Sequence, residues 1–352
     1  MDGALLAFGI EWDSFDQVDG HGGDMREIGW FCARLILKAG LLSAASPCLA
    51  AEGTTAAGPI AGTDIRSAVL PPPGLYGGVV GLNSHLPEVV DGRGHPVSGL
   101  DVVDLTARIA APFFVYVPDI QVLGGSVAVI GLFPGGQECG QLVSAIPSRC
   151  TWGIGDPYFE LAWSRSFGQL RPSRYLGALP ILEGLVIGAG IGVVAPFGKY
   201  EPHLRATNAI SLGNNIYDVA PSIAVTYTTP PLIAEGTEFS AKVYWNNYAI
   251  NSDTKYLASP LVDVDFAVSE RIGRFQLGIT GVYLSQTGED RQFGVPVPPD
   301  GRRLEYLALG AVLNYDMPEV AAAIRVKMLS TVLGRNTGIS QVFAVGFAKK
   351  LF

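Results

Sequence analysis

Twelve stretches of this chain alternate apolar with polar or small residues, and the connections between them alternate in length. Read by alternation, strands fall at roughly 75–84, 105–117, 122–133, 156–167, 181–197, 215–229, 237–249, 256–271, 274–286, 302–316, 319–330 and 339–352. The odd-numbered connections tend to be long: 85–104, 134–155, 198–214, 250–255, 287–301 and 331–338. The others are mostly short, such as 118–121, 272–273 and 317–318, with 168–180 the exception. A soluble sandwich has no reason to sort its loops by parity. A meander through a bilayer does, because exterior loops are long and periplasmic turns are tight, and an even strand number returns both ends to the periplasmic side. The pattern predicts an all-β fold, a transmembrane antiparallel β-barrel of about twelve strands over residues 75–352.

Composition agrees. Only 16% of residues are charged, mean hydropathy is +0.30 and there are 44 glycines. Beyond the first 50 residues no run of about 18 apolar residues exists to form a helical span. The last stretch places Phe343, Val345, Phe347 and Leu351 on one face and Ala344, Gly346 and Ala348 on the other, and it finishes on Phe352. Outer-membrane barrels of Gram-negative bacteria usually end this way, since an open sheet edge cannot exist in lipid. Lys350 departs from that pattern, standing where an apolar residue is usual.

The faces of single strands say which side is wet. Val262, Val264, Phe266 and Val268 alternate with Asp263, Asp265, Ala267 and Ser269. Phe239, Ala241, Val243 and Trp245 alternate with Glu238, Ser240, Lys242 and Tyr244, and Ile324, Val326 and Met328 with Arg325 and Lys327. A Lys or Arg facing lipid at mid-depth costs about 2–4 kcal/mol. The charged faces are therefore expected in the lumen, with Glu238, Lys242, Asp263, Asp265, Arg325 and Lys327 as candidate lining residues and Glu238 and Lys242 beside the two aspartates. Tyr217, Tyr227, Trp163, Trp245 and Tyr315 lie near strand ends, as interfacial aromatics do.

The front of the chain reads as export machinery. Residues 25–50 resemble a secretory signal: an apolar stretch from Ile28 to Leu42, then small residues with Cys48 and Ala50 at the gating positions. Arg34 and Lys38 interrupt its core, and Pro47 argues against a lipoprotein attached through Cys48. Residues 1–24 are acidic, the opposite of a signal's basic start, and read as an upstream extension before a translation start at Met25. Residues 51–74, Ala/Gly-rich and closing on Pro71-Pro72-Pro73, have no core of their own and read as a periplasmic or plug segment. The first 50 residues hold three of the 24 basic and seven of the 32 acidic residues, so the remainder carries −4, too mild a charge to argue for nucleic acid. Cys139 and Cys150 remain after them, an even count in an exported protein, and are a candidate disulfide in the second long loop.

Catalytic and metal-binding patterns are weak. His21, His85, His95 and His203 show no cage spacing with the carboxylates, and no serine sits in a Gly-x-Ser-x-Gly turn. Gly188, Gly190 and Gly192 repeat at strand spacing, which suits a narrow lumen better than a nucleotide loop. Gly155-Asp156 reads as turn chemistry, and the polar run Asn246, Asn247, Asn251, Asp253 and Thr254 as an exterior loop satisfying its own backbone rather than a calcium site. No cofactor and no metal are expected.

From about residue 70 onward the order of motifs resembles an outer-membrane family named for the meta-pathway of phenol degradation. The carrying segments are Leu70-Pro71-Pro72-Pro73-Gly74-Leu75-Tyr76-Gly77, Leu123-Gly124-Gly125 and Gly153-Ile154-Gly155-Asp156-Pro157. The glycine strand ending in Pro196-Phe197-Gly198 follows, then Asn246-Asn247 through Tyr256, and Tyr283, Gln286 and Asp290. Ser259-Pro260 and the cysteine-bearing insertion 134–152 depart from the family pattern at the outer mouth. The resemblance implies a transporter barrel, distantly similar to long-chain fatty-acid and toluene transporters, and does not carry over a substrate.

Together these readings predict an outer-membrane channel for passive uptake of small hydrophobic or aromatic compounds. Its expected partners are outer-membrane lipid, the barrel-assembly machinery and small hydrophobic solutes. A barrel enzyme acting on lipids, with His203 in an exterior loop, and a closed structural barrel are the alternatives.

Overall fold

The computed structural model describes residues 63–101, 103–145, 147–200 and 211–352. The readings of residues 1–24 and 25–50, and of His203, fall outside them. Twelve antiparallel strands close one barrel. They are β1 (Gly74–Val90), β2 (Asp104–Val117), β3 (Gly125–Leu132, continued as Gly135–Gln141) and β4 (Arg149–Ile154, continued as Tyr158–Ser166). Then come β5 (Ile181–Val194), β6 (Asp218–Thr228), β7 (Thr237–Tyr248), β8 (Leu261–Ile272), β9 (Phe275–Gln286), β10 (Glu305–Met317), β11 (Ala322–Arg335) and β12 (Thr337–Lys350). Each strand pairs with its neighbours in sequence, and β12 pairs with β1 from Lys350–Tyr76 to Thr337–Val90. The ladder bonds continue past β12: Leu351 N–H donates to Leu75 O and Leu75 N–H to Phe352 O, at 2.7 and 3.0 Å. No backbone edge is left open at the closing seam, as lipid requires.

The side-chain alternation sets inside from outside. On β6 the residues are alternately buried and exposed along the whole strand, with Asp218, Ala220, Ser222, Ala224 and Thr226 inward and Val219, Ile223, Val225 and Tyr227 outward. In lipid the exposed apolar face is the stable one, and polar groups find partners only across the lumen. Tyr217, Tyr227 and Trp245 are exposed on the outer face, and Phe275 and Tyr315 meet beside the β8–β9 turn with centroids 4.8 Å apart and their rings tilted by 40°.

Five boundaries differ from the sequence reading. The stretch 331–338 is mostly strand: β11 runs to Arg335 and pairs there with β10, β12 starts at Thr337 and pairs there with β1, and the two pair with each other only as far as Ser330–Gln341; Asn336, with φ of 49°, stands between them. Asn tolerates that left-handed conformation better than most residues. Most of 134–155 is strand, because β3 and β4 resume beyond Phe133-Pro134 and Gly155-Asp156-Pro157, where the prolines remove ladder donors and interrupt the strands. β1 extends to Val90, shortening the first loop, and Tyr256–Leu257 belongs to a separate small sheet with Arg291–Gln292 and Val295–Pro296. Pro318–Val320 is a 3₁₀ turn rather than the start of β11.

The outer loops are knitted to one another. Asp156 accepts from the Gly198 and Asn214 amides at 2.8 and 2.7 Å, joining two of the motifs noted above. Asn215 donates to Asp253 at 3.1 Å, Gln292 to the Thr254 carbonyl at 3.1 Å, and Asn336 to Asp300 at 3.1 Å. Asp101 accepts from the Ser144 amide at the tip of the β3–β4 hairpin. Cys139 and Cys150 face each other on that hairpin and are bonded, with Sγ–Sγ 2.02 Å. Beneath this collar Ile216, Tyr248, Tyr256, Ala258, Leu261, Val297 and Leu304 form a small apolar core.

Candidate solute site in the barrel lumen

The residues before β1 do not stay outside the barrel. Asp64 accepts from Thr280 on β9 at 2.7 Å and lies 2.8 Å from Lys327 Nζ and 3.3 Å from Arg325 Nη1, both on β11. Arg66 reaches Asp316 on β10 and Gln276 on β9, each at 2.9 Å, while its backbone N–H donates to Glu238 on β7 at 2.7 Å. The Ser67 amide donates to Ser240 Oγ on β7, the Ala68 amide to Thr226 Oγ1 on β6, and Ser164 on β4 donates to the Ala68 carbonyl. Partners on strands so far apart around the ring can meet one short segment only inside it. Side chains of the wall thus take the place of secondary structure in satisfying this backbone.

Higher in the lumen, Glu160 on β4 and Lys242 on β7 form an ion pair of 2.6 Å, with both side chains under one-tenth exposed. Two strands separate them. The pair spans the gap because β5 presents glycines there: a Cβ on Gly192 would lie 2.6 Å from the Tyr158 hydroxyl, and one on Gly190 would collide with Glu160 itself. Tyr158 donates to Glu160 at 2.9 Å and Ser222 at 3.4 Å, while Lys242 Nζ sits 4.6 Å above the Tyr244 ring.

Among the candidate lining residues, Glu238, Lys242, Asp263, Asp265 and Lys327 are buried inside the barrel, and Arg325 faces inward onto Asp64. The pairing expected among them differs. Lys242 is the cross-strand neighbour of Asp265, but its ammonium goes to Glu160, and Asp265 accepts from Thr63. Glu238 sits opposite Ser269, away from both aspartates. A lysine's four-carbon stem lets the charge travel further than its Cα register suggests. Alternation marks Glu160, Asp218, Arg271 and Asp316 as inward too, and the structure adds Asp64 and Arg66 to them. Nothing in the sequence places Asp64 and Arg66, which precede every strand.

The charges are not spread evenly. They line β6 to β8, β10, β11 and the facing part of β4, and the inserted segment lies against them. The other wall is apolar and small: Val80 on β1, Phe113 and Val115 on β2, Ile130 on β3, and Ala344 and Gly346 on β12. Between that wall and the segment lies a cavity of about 420 Å³, which Glu160, Lys242, Arg325 and Lys327 also line. Among the described residues no group of three His, Cys, Asp or Glu side chains is placed to hold a metal ion.

Loop carboxylates serve structure. In the outer loops Asp290 accepts from the Tyr256 hydroxyl at 2.6 Å, the Ser259 amide at 2.8 Å and Gln286 at 2.7 Å, yet burial outweighs these donors and raises its carboxyl above the usual value. At the opposite end burial also works to raise Glu235. There the Arg174 amide, the Ser173 hydroxyl and the Gly273 amide prevail and hold it low. Asn251 Oδ1 accepts from the Asp253 amide at 3.0 Å, so the polar run closes on its own backbone.

A family model described as "Putative MetA-pathway of phenol degradation" matches residues 89–328, well over half of the chain. The chain belongs to that family. Among solved structures it is similar to the COG4313 outer membrane channel from Pseudomonas putida F1, with TM-score 0.64 and 16% identity over 80% of this chain and 97% of that one. The β domain of the Bordetella autotransporter BrkA follows at TM-score 0.45 and 12% identity, covering 78% and 99%. No curated protein sequence matches. The likeness to the first of these carries the fold, a closed antiparallel barrel.

Proposed function

We propose that the protein is a channel in the outer membrane of a Gram-negative bacterium for passive uptake of small hydrophobic or aromatic compounds. The supporting observation is the cavity of about 420 Å³ held against an apolar wall, with the charges that line it already paired, Glu160 with Lys242, and Arg325 and Lys327 with Asp64. A solute passing there meets aliphatic and aromatic surface, and the ionic groups opposite it need not be desolvated afresh. Residues 51–74 act as a plug, with 63–70 its lumenal part. In this reading residues 25–50 direct export and residues 1–24 are not part of the natural chain. The barrel-assembly machinery and outer-membrane lipid are the protein's partners, and it is not an enzyme. Planar-bilayer conductance of the purified protein tests this reading. Discrete conductance steps are expected, larger after deletion of residues 51–70. A silent barrel in both forms would refute the channel and leave the closed structural barrel.

A further inference from the structure

The Asp64 carboxylate is fully buried and held by two cations and a hydroxyl of the wall: Lys327 at 2.8 Å, Arg325 at 3.3 Å and Thr280 at 2.7 Å. That set belongs to the barrel, while the carboxylate arrives on a segment outside the sheet. Register places apolar surface directly alongside. Lys327 is the Cα partner of Ala344 on β12, which is the partner of Leu82 on β1; Arg325 is the partner of Gly346, which is the partner of Val80. Two strand spacings, ~10 Å, therefore lead from a cation through a methyl group or a hydrogen to a branched aliphatic side chain. Arg325, Lys327 and Val80 all line the same cavity.

We infer that Asp64 is a tethered stand-in for a solute carboxylate, and that the Lys327–Arg325–Thr280 group with the β12–β1 wall binds small amphipathic carboxylates, a single aromatic ring bearing one carboxylate being the best fit. This rests on the lumen being a solute path and narrows its substrate class. A guanidinium and an ammonium beside one carboxylate give charge-assisted hydrogen bonds to an anion, and the apolar wall takes the ring. An unbranched apolar solute would use only the wall. A small hydrophilic anion would use only the cations.

The test compares benzoate, benzyl alcohol and acetate binding to the detergent-purified protein by calorimetry. A tethered carboxylate competes at an effective concentration in the millimolar range or above. Removing it in Asp64→Asn should therefore tighten benzoate binding on the order of tenfold, and leave benzyl alcohol unchanged. Benzoate should also raise the temperature at which the Asp64→Asn protein loses its folded, heat-modifiable gel band. Adding Lys327→Met should abolish both effects. Equal benzoate affinity with and without Asp64 would overturn the inference, as would acetate binding as tightly as benzoate, or benzoate binding undiminished by Lys327→Met. If Asp64→Asn does not assemble, benzoate present during refolding should rescue it and benzyl alcohol should not. Failure of that rescue also overturns the inference. Conductance in the same preparations separates the two readings: a silent barrel that binds benzoate in this pattern defeats the channel alone, and a conducting barrel indifferent to benzoate defeats the carboxylate site alone.

Discussion

Lys242→Met leaves Glu160 in a lumen where its remaining donors are the Tyr158 hydroxyl at 2.9 Å and Ser222 at 3.4 Å. Both members of the pair are under one-tenth exposed, and the 2.6 Å contact is their shortest polar contact. Removing one partner of such a buried pair typically costs about 3–5 kcal/mol, mostly because the other charge stays buried without compensation. Methionine keeps the stem's volume and its packing over the Tyr244 ring, so little of the loss should come from a void. The second change, Glu160→Gln, removes the stranded charge while keeping acceptors for Tyr158 and Ser222. The double variant should accordingly recover most of the loss, to within ~1 kcal/mol of the parent, since replacing a buried pair outright is close to neutral. Urea unfolding in detergent, followed by tryptophan fluorescence and heat-modifiable mobility, gives the four corners of the cycle. Additive losses in the double variant would refute the coupling, and with it the claim that β5 is glycine-rich to let these two side chains meet.

Three shorter predictions follow from the same geometry. Replacing Cys139 and Cys150 by serine opens a ring of sequence separation 11, and should destabilise the β3–β4 hairpin by about 3 kcal/mol in the chain-entropy picture, read as faster proteolytic nicking near Ser144 with β5–β12 intact. Asp263→Lys with Asp265→Lys should move the channel's ion preference toward anions while the barrel still assembles, and an unchanged reversal potential in a salt gradient would remove these residues from the conduction path. Asp290 has its carboxyl raised by burial, so the folded loops favour its protonated form; their stability is fullest below the unfolded value and is lost as pH rises through the folded one. Loops 249–260 and 287–304 should thus be nicked by protease more readily at pH 7 than at pH 4, and Asp290→Asn should flatten that dependence.

Much of this architecture was legible before any coordinates. The strict alternation of 217–227 and 262–269 could not survive a register slip in lipid, because a shift of one residue would turn Asp218, Asp263 and Asp265 outward. The inward faces of β7, β8 and β11 were readable as lists. Local chemistry at the breaks was less so. Pro134 and Pro157 mark interruptions, but only the pairing of Gly135 with Ile154 shows that both strands resume beyond them. The strand character of 331–335 is hidden in what reads as a loop, since Gly334, Arg335 and Asn336 carry no apolar alternation.

What the sequence determined by itself is the membrane-spanning sheet: which residues face lipid, which face the lumen, and that the sheet must close. Those are one-dimensional consequences of a period of two and of a solvent that cannot hydrogen-bond. What only the tertiary structure decided is who partners whom across the lumen. Lys242 finds Glu160 past two intervening strands, and Asp64 and Arg66 find Lys327 and Asp316 more than two hundred residues away. Such partnerships depend on curvature, on where glycines leave space, and on a segment with no periodicity of its own threading the ring. No local pattern encodes them, because the groups involved become neighbours only after the barrel has closed.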